Sequence, residues 1–195
     1  MNASNTHGLQ SPWTTVPGGV TRQHVSWERH LRCPSSTDAV AMRQLVDATG
    51  VLDVNSTYAY LLLATDFAKS SIVAERDGEL CGLITAYHPP ERPEVLFVWQ
   101  VAVTERVRGT GLAAAMLDEL VNRVRRARHG HPLTVEATVA PGNGPSRALF
   151  GGFARRHGVP MTERPYFGAE LLDPESDHED EPILRIGPIA AALSD

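Results

Sequence analysis

Apolar residues recur along the chain in two rhythms, and the changes between them mark out its elements. Over residues 112–128, Leu112, Met116, Leu117, Leu120, Val121 and Val124 share one face of a helix, which Arg123, Arg125, Arg126 and Arg128 largely avoid. Gly130 is a natural stop for that helix. Residues 133–139 alternate instead: Leu133, Val135, Ala137 and Val139 point one way, Thr134, Glu136 and Thr138 the other. Val95–Val103 is almost unbrokenly apolar, the pattern of a strand covered on both faces. Segments 71–76 and Glu79–Tyr87 flank Asp77-Gly78, a dipeptide suited to a type I′ turn, which predicts a hairpin.

The remaining segments complete the order. Residues 20–32 alternate loosely as a first strand, and Ser35 to Asp38 offer capping side chains for a helix over 39–48 that Gly50 ends. Asn55 is a candidate cap for a helix over 58–65. After a turn at Pro141 to Asn143 comes a helix over 145–157, then strands at Met161–Phe167 and 182–189 around an acidic loop, 173–181. The order β-α-α-β-β-β-α-β-α-β-β predicts a single α/β domain with a mixed sheet flanked by helices, over residues 20–190.

Composition narrows the class of function. The 195 residues are 42% hydrophobic and 21% charged, ordinary for a globular protein with its own core. A net charge of −5 argues against nucleic-acid binding, which needs a basic face. No apolar run is long enough to span a membrane. Residues 1–19 are rich in Ser, Thr, Gly and Pro, lack an apolar signal core and read as a disordered leader. Cys33 and Cys81 permit a disulfide but do not require one, and a cytoplasmic location fits them better. The histidines His7, His24, His30, His88, His129, His131 and His157 have no metal-ligand spacing and read as surface residues, and no metal is expected.

The segment richest in chemistry is Arg106-Val107-Arg108-Gly109-Thr110-Gly111, between the apolar strand and the long helix. Glycines let a ligand approach the backbone, the helix start offers unpaired N–H groups, and two arginines add charge, so the segment reads as a pyrophosphate cradle. A solvated loop is the plain alternative.

Strand, Arg106-x-x-Gly109-x-Gly111, helix, strand, then Asn143 with Phe150 seven residues on, is similar to the GCN5-related N-acetyltransferases (GNATs) over residues 70–155. The resemblance implies a GNAT fold with a mostly antiparallel sheet and acetyl-CoA as cosubstrate. It implies that the backbone of Val101, Ala102 and Val103 pairs with the pantetheine arm. Arg106, Arg108, Gly109, Thr110, Gly111, Leu112 and Ala113 would then hold the pyrophosphate, and Asn143, Ser146 and Phe150 a second cofactor contact.

Further residues carry a narrower resemblance, from 53 to 187. Asp53-Val54-Asn55-Ser56-x-Tyr58, Phe97-Val98-Trp99-Gln100, Pro141-x-Asn143, His178-Glu179-Asp180-Glu181 and Leu184-Arg185-Ile186-Gly187 resemble the diaminobutyrate acetyltransferases of ectoine biosynthesis. That family implies acetylation of the γ-amine of L-2,4-diaminobutyrate, a homodimer, and a substrate pocket lined by Asp53, Tyr58, Trp99, Glu163 and His178.

Acetyl transfer needs a neutral amine. An alkylammonium titrates near pH 10, so neutralising it at pH 7 costs roughly 4 kcal/mol, which desolvation or a base must offset. A carboxylate keeps a neighbouring ammonium charged, so Asp53 or Glu163 suits the α-ammonium. Tyr58 and Trp99 suit an apolar corner around the γ-nitrogen. A backbone N–H near Val101 is placed for the thioester oxygen. Glu136 is a candidate base acting through water. Phe150 stands where many relatives place the tyrosine that protonates the leaving thiolate, which leaves Tyr58, His178 or water for that step.

Other readings stay open. Asp53 reads equally as a helix cap, and Trp99 equally as core and pocket wall. His178 to Glu181 reads as a solvated acidic run, a loose metal site or a substrate lid. Another small diamine or amino acid as substrate, or a non-catalytic acyl-CoA-binding module, is the rival function.

Overall fold

The computed structural model describes Trp27 and residues 30–129, 131–172 and 178–190. Its strands are β1 (Leu31–Arg32), β2 (Ile72–Arg76), β3 (Glu79–Tyr87), β4 (Val95–Val103), β5 (Leu133–Thr138), β6 (Met161–Phe167) and β7 (Glu181–Ile189). Its helices are α1 (Ala39–Asp47), α2 (Thr57–Thr65), α3 (Leu112–Ala127), α4 (Gly144–His157) and α5 (Ala169–Leu172). The strands make one sheet in the order β1-β2-β3-β4-β5-β7-β6, antiparallel except between β4 and β5. The expected leader, Gly130 and most of the expected first strand lie outside the described residues.

Helices cover both sheet faces. α3 and α4 pack on Ile84, Ala86, Leu96, Val98, Val135, Ala137, Leu184 and Ile186. α1 and α2 pack on Val73, Leu83 and Ala102 through Met42, Val46, Tyr60 and Leu63. All six apolar residues that mark α3 in the sequence are buried. At about 1.5–3 kcal/mol per buried side chain, they contribute on the order of 10 kcal/mol towards docking the helix. Gly82 of β3 lies under its first turns: a Cβ there would meet Met116 Cε at 2.9 Å and Leu112 Cδ2 at 3.1 Å. The missing side chain lets the helix start rest directly on the sheet.

Local chemistry explains several boundaries. Asp77 and Gly78 take φ of 56° and 80°, as a type I′ hairpin turn requires. The cap of α2 is Ser56, whose hydroxyl accepts from the Ala59 N–H at 3.2 Å, and not the expected Asn55. The arginines of α3 and its C-cap Arg128 are more engaged than a solvated face implies. Arg123 donates to the Ser71 carbonyl, Arg125 to Ala190 at 2.9 Å and Arg128 to Pro93 at 2.5 Å, so their stems lie along the neighbouring segments. Three of the histidines are also tied in: His30 to the Glu75 carbonyl, His88 to the Val95 carbonyl and His157 to Asp118. Both cysteines are free thiols.

Leu120, on the buried face of α3, is fully buried. Leu120→Ala is expected to lower stability by about 2–5 kcal/mol, read as a shift in urea midpoint with unchanged slope, because the rigid core cannot close the cavity.

Candidate active site

The site begins where two parallel strands part. β4 and β5 pair only at Val95 with Thr134, Leu96 with Val135 and Phe97 with Glu136. Beyond Phe97, β4 continues to Val103 with no strand on its β5 side among the described residues. Its pairing with β3 shifts there: Thr85 faces Gln100 and Ala86 faces Val98, so Trp99 is an extra residue on β4. Such a bulge bends the strand and re-aims a side chain, and Trp99 is 45% exposed inside an otherwise covered strand.

The expected cradle follows β4 directly. Glu105–Val107 forms a single 3-10 turn, then Gly109 and Gly111 take φ of 74° and 85°, which few residues other than glycine adopt. Open space surrounds the position of a Cβ at either glycine. Gly111 is the N-cap of α3 and supplies no capping side chain. Among the described residues, the N–H groups of Gly109, Gly111, Leu112, Ala113 and Ala114 meet no acceptor outside the helix ladder, which itself starts later. A sixteen-residue helix thus begins with its amide donors facing the fork. A pyrophosphate fits this donor set, since it brings anionic oxygens to several adjacent N–H groups. Arg106 pairs with Glu79 at 3.0 Å, but both side chains are more than half exposed, and such a pair is worth little.

The opposite side of the fork is organised by Gln100, a buried polar residue in the apolar run. Its Nε2 donates to the Asp53 carbonyl at 2.9 Å, and its Oε1 accepts from the Tyr60 hydroxyl at 3.2 Å. This amide pins the segment before α2 over the strand that carries Trp99. The structure therefore brings the Asp53 segment to β4, and Tyr58 stands 69% exposed in the first turn of α2. Sequence reasoning gave Gln100 no role, although a lone amide in an apolar strand is a visible signal.

Other expected site residues are placed differently. Glu136 is fully buried, with Arg92 on Oε2 at 2.5 Å and Arg185 on Oε1. Both oxygens are occupied, which corrects the reading of Glu136 as a base. Phe150 is 2% exposed and belongs to the core under α4, so its ring fills the interior. Asn143 Oδ1 caps α4 by accepting from the Ser146 N–H at 3.1 Å. Glu163, on edge strand β6, pairs with Arg147 and lines a cleft of about 310 Å³ with Arg164, Tyr166, Phe167 and Asp180. His178 is exposed, and among the described residues no hydrogen bond joins Glu163 or His178 to Asp53, Tyr58 or Trp99.

In the acidic tail loop His178, Glu179 and Asp180 are exposed, and the carboxylates of residues 179–181 are also tied to other segments. Glu179 accepts from the Gly142 N–H at 2.8 Å, Asp180 from the Ala169 N–H at 2.9 Å, and Glu181 from the Thr138 hydroxyl at 2.6 Å. Among the described residues no group of acidic, histidine or cysteine side chains is gathered for a metal. Tyr87, its ring tilted against that of Phe97 at 5.3 Å, has its phenol pushed up by burial, reinforced by Tyr166 and opposed by Arg92.

Residues 39–153 match the family described as the acetyltransferase (GNAT) family. The chain belongs to that family. It is 45% identical over 162 residues to the L-2,4-diaminobutyric acid acetyltransferase of Bordetella parapertussis, covering 82% of this chain and 84% of that protein. It is 43% identical over 184 residues to the enzyme of the same name from Streptomyces avermitilis, covering 93% and 96%. Among solved structures, the diaminobutyrate acetyltransferase EctA from Paenibacillus lautus, in complex with L-2,4-diaminobutyric acid and coenzyme A, superposes with a TM-score of 0.75. That pair is 39% identical, over 84% of this chain and 97% of the other. Within the GNAT family the chain therefore groups with the diaminobutyrate acetyltransferases.

In this GNAT, Gly109→Glu sets bulk and negative charge against the free amides and strains a left-handed residue. It is expected to weaken acetyl-CoA binding by about a hundredfold or more, measured by calorimetry, while the melting temperature falls only a few degrees. Unaltered affinity would remove the loop from the site.

Proposed function

We propose that the chain is an acetyl-CoA-dependent N-acetyltransferase that converts L-2,4-diaminobutyrate to its N(4)-acetyl derivative in ectoine biosynthesis. The observation that carries this reading is the set of unpaired amides at Gly109, Gly111, Leu112, Ala113 and Ala114 beside the open edge of β4. Acetyl-CoA, when bound, supplies the thioester and a thiol leaving group. The residues of the chain do the rest.

The open stretch of β4 around Val101 to Val103 offers main-chain partners to the pantetheine arm. The loop amides, with Arg106 and Arg108, hold the diphosphate. On the other side of Trp99, the Gln100 clasp presents the Asp53 segment to the amine-bearing substrate. Asp53 pairs with the α-ammonium and keeps it protonated, which leaves the γ-amine as the nucleophile. Trp99 and Tyr58 wall the reacting end and exclude water, and an apolar wall disfavours the charged amine. Holding amine and acyl group in line removes much of the entropic barrier. Phe150 has no proton to give, so the thiolate takes its proton from solvent or from Tyr58. Glu163 and His178, carried by β6 and the tail loop, close the substrate side.

Two further assignments belong to this reading. A homodimer is supported by β6, all seven residues of which are exposed, Tyr166 and Phe167 among them, and by the exposed Leu171 and Leu172 that follow it. A cytoplasmic location is supported by two free thiols, and no described helix is long and apolar enough to cross a membrane.

Incubation with both substrates followed by fragmentation mass spectrometry is expected to place one acetyl group on the γ-nitrogen. Acetyl on the α-nitrogen, or no product, would refute the assignment. Asp53→Ala is expected to raise the Michaelis constant for diaminobutyrate about tenfold or more while that for acetyl-CoA stays within about twofold. Equal rises in both constants would take Asp53 out of the substrate pocket.

A further inference from the structure

Arg92, Glu136 and Arg185 form a cluster that the transfer described above does not use. Glu136 has no exposed side-chain surface, and its two oxygens are each held by a different arginine. A carboxylate taken wholly out of water is tolerated only when well paired. Here two cations meet one anion, so one positive charge is left over. Each guanidinium carries five N–H donors in a rigid fork, and a single nitrogen of each engages Glu136. The arginine side chains remain 33% and 40% exposed. Glu136 thus holds side by side two like charges that would otherwise repel, with donors to spare on the accessible side.

The cluster's place in the sheet gives this surplus charge a use. Tyr87, Phe97, Glu136 and Arg185 are consecutive cross-strand neighbours on β3, β4, β5 and β7. They form the last continuous row before β4 and β5 part. Their neighbours in sequence, Ala86, Leu96, Val98, Val135, Ala137, Leu184 and Ile186, pack on the α3–α4 side, so the row faces the opposite side. Gln100, two residues from the core-facing Ala102 of the α1–α2 side, faces that way too and holds the Asp53 segment there. One face of the fork therefore carries an anionic segment on one bank and a doubled guanidinium on the other. An amino acid with an α-ammonium and an α-carboxylate presents the complementary pair of charges.

Building on the function proposed above, the geometry points to Arg92 and Arg185, oriented by Glu136, as the receptor for the α-carboxylate of the substrate. Planar, bidentate recognition of a carboxylate suits arginine forks. The arrangement selects amino acids over plain diamines: a diamine leaves the surplus guanidinium charge without an anion, and unmet polar groups make strong discriminators.

The test compares L-2,4-diaminobutyrate with 1,3-diaminopropane, which keeps both amines and lacks the carboxylate, at saturating acetyl-CoA. In Arg92→Lys and Arg185→Lys the ratio of kcat/KM for the two substrates is expected to fall about tenfold or more, since lysine keeps a charge for Glu136 but not the fork. A ratio unchanged from wild type, with diaminobutyrate still acetylated, overturns the carboxylate assignment alone. A wild-type protein that acetylates neither compound overturns the functional reading and this inference together. A second measurement needs no variant. With wild-type protein, 2,4-diaminobutyramide, of the same shape without the negative charge, is expected to show kcat/KM lower by about tenfold or more. Equal efficiency with acid and amide overturns the assignment, whether or not the lysine variants fold.

Discussion

Strands β4 and β5 run side by side for three residues and then separate, and the site is built from that separation. A parallel pair normally stays paired and buried. Here the extra residue at Trp99 bends β4 away, and one edge of its main chain is left for something other than a strand. An exposed strand edge is ordinarily a liability. Inside a fork, beside the bare first turn of α3, it becomes a row of main-chain donors and acceptors that only an extended, anionic ligand satisfies along its length. Gly82 sets how low that helix start lies on the sheet, and the two left-handed glycines turn its amides outward.

Two buried polar residues hold the fork open on its two banks. Gln100 uses both ends of its amide, one on the Tyr60 hydroxyl and one on the Asp53 carbonyl. Glu136 uses both carboxylate oxygens on arginines from separate segments. Neither is the cheapest way to fill a core, since a buried polar group must have its hydrogen bonds met and a buried ion pair incurs a desolvation cost that well-packed apolar residues avoid. Their common effect is to fix loops that would otherwise be free to drift: the segment before α2 and the turn before β4. Rigidity is supplied from within the sheet to the segments on either side of the fork.

Periodicity along the chain was enough to recover the order of the main elements, because each amphipathic helix and strand here obeys its own rhythm. It failed where the answer lay in a distant segment. Asn55 and Ser56 are both good caps, and nothing local separates them; the geometry of the α2 entry chose the serine. Alternation along β5 correctly turned Glu136 away from Val135 and Ala137, but with cover on both faces of the sheet, away from one core does not mean towards water. The partners Arg92 and Arg185 lie 44 and 49 residues off and carry no local sign of convergence. Acidity in the tail read as solvation, and Glu179 and Asp180 are exposed, but nothing local showed that Glu179, Asp180 and Glu181 would each accept from an N–H or hydroxyl donor on another segment. The spacing from Asn143 to Phe150 was legible, but the phase of α4 placed the ring among core residues. The glycine loop was legible because its demands are local: positive φ, no Cβ, and a helix following at once.

The sheet order has a consequence for how the molecule is made. β7, the last strand among the described residues, lies between β5 and β6 rather than at a margin. Until it is synthesised, β5 and β6 have no common neighbour, and the half of the sheet that carries Arg185 and Glu163 has nothing to assemble on. A messenger cut short before residue 181 therefore yields a product missing an interior plank, not a trimmed rim. Such a product is expected to be cleared by proteolysis rather than to persist as a weakened protein.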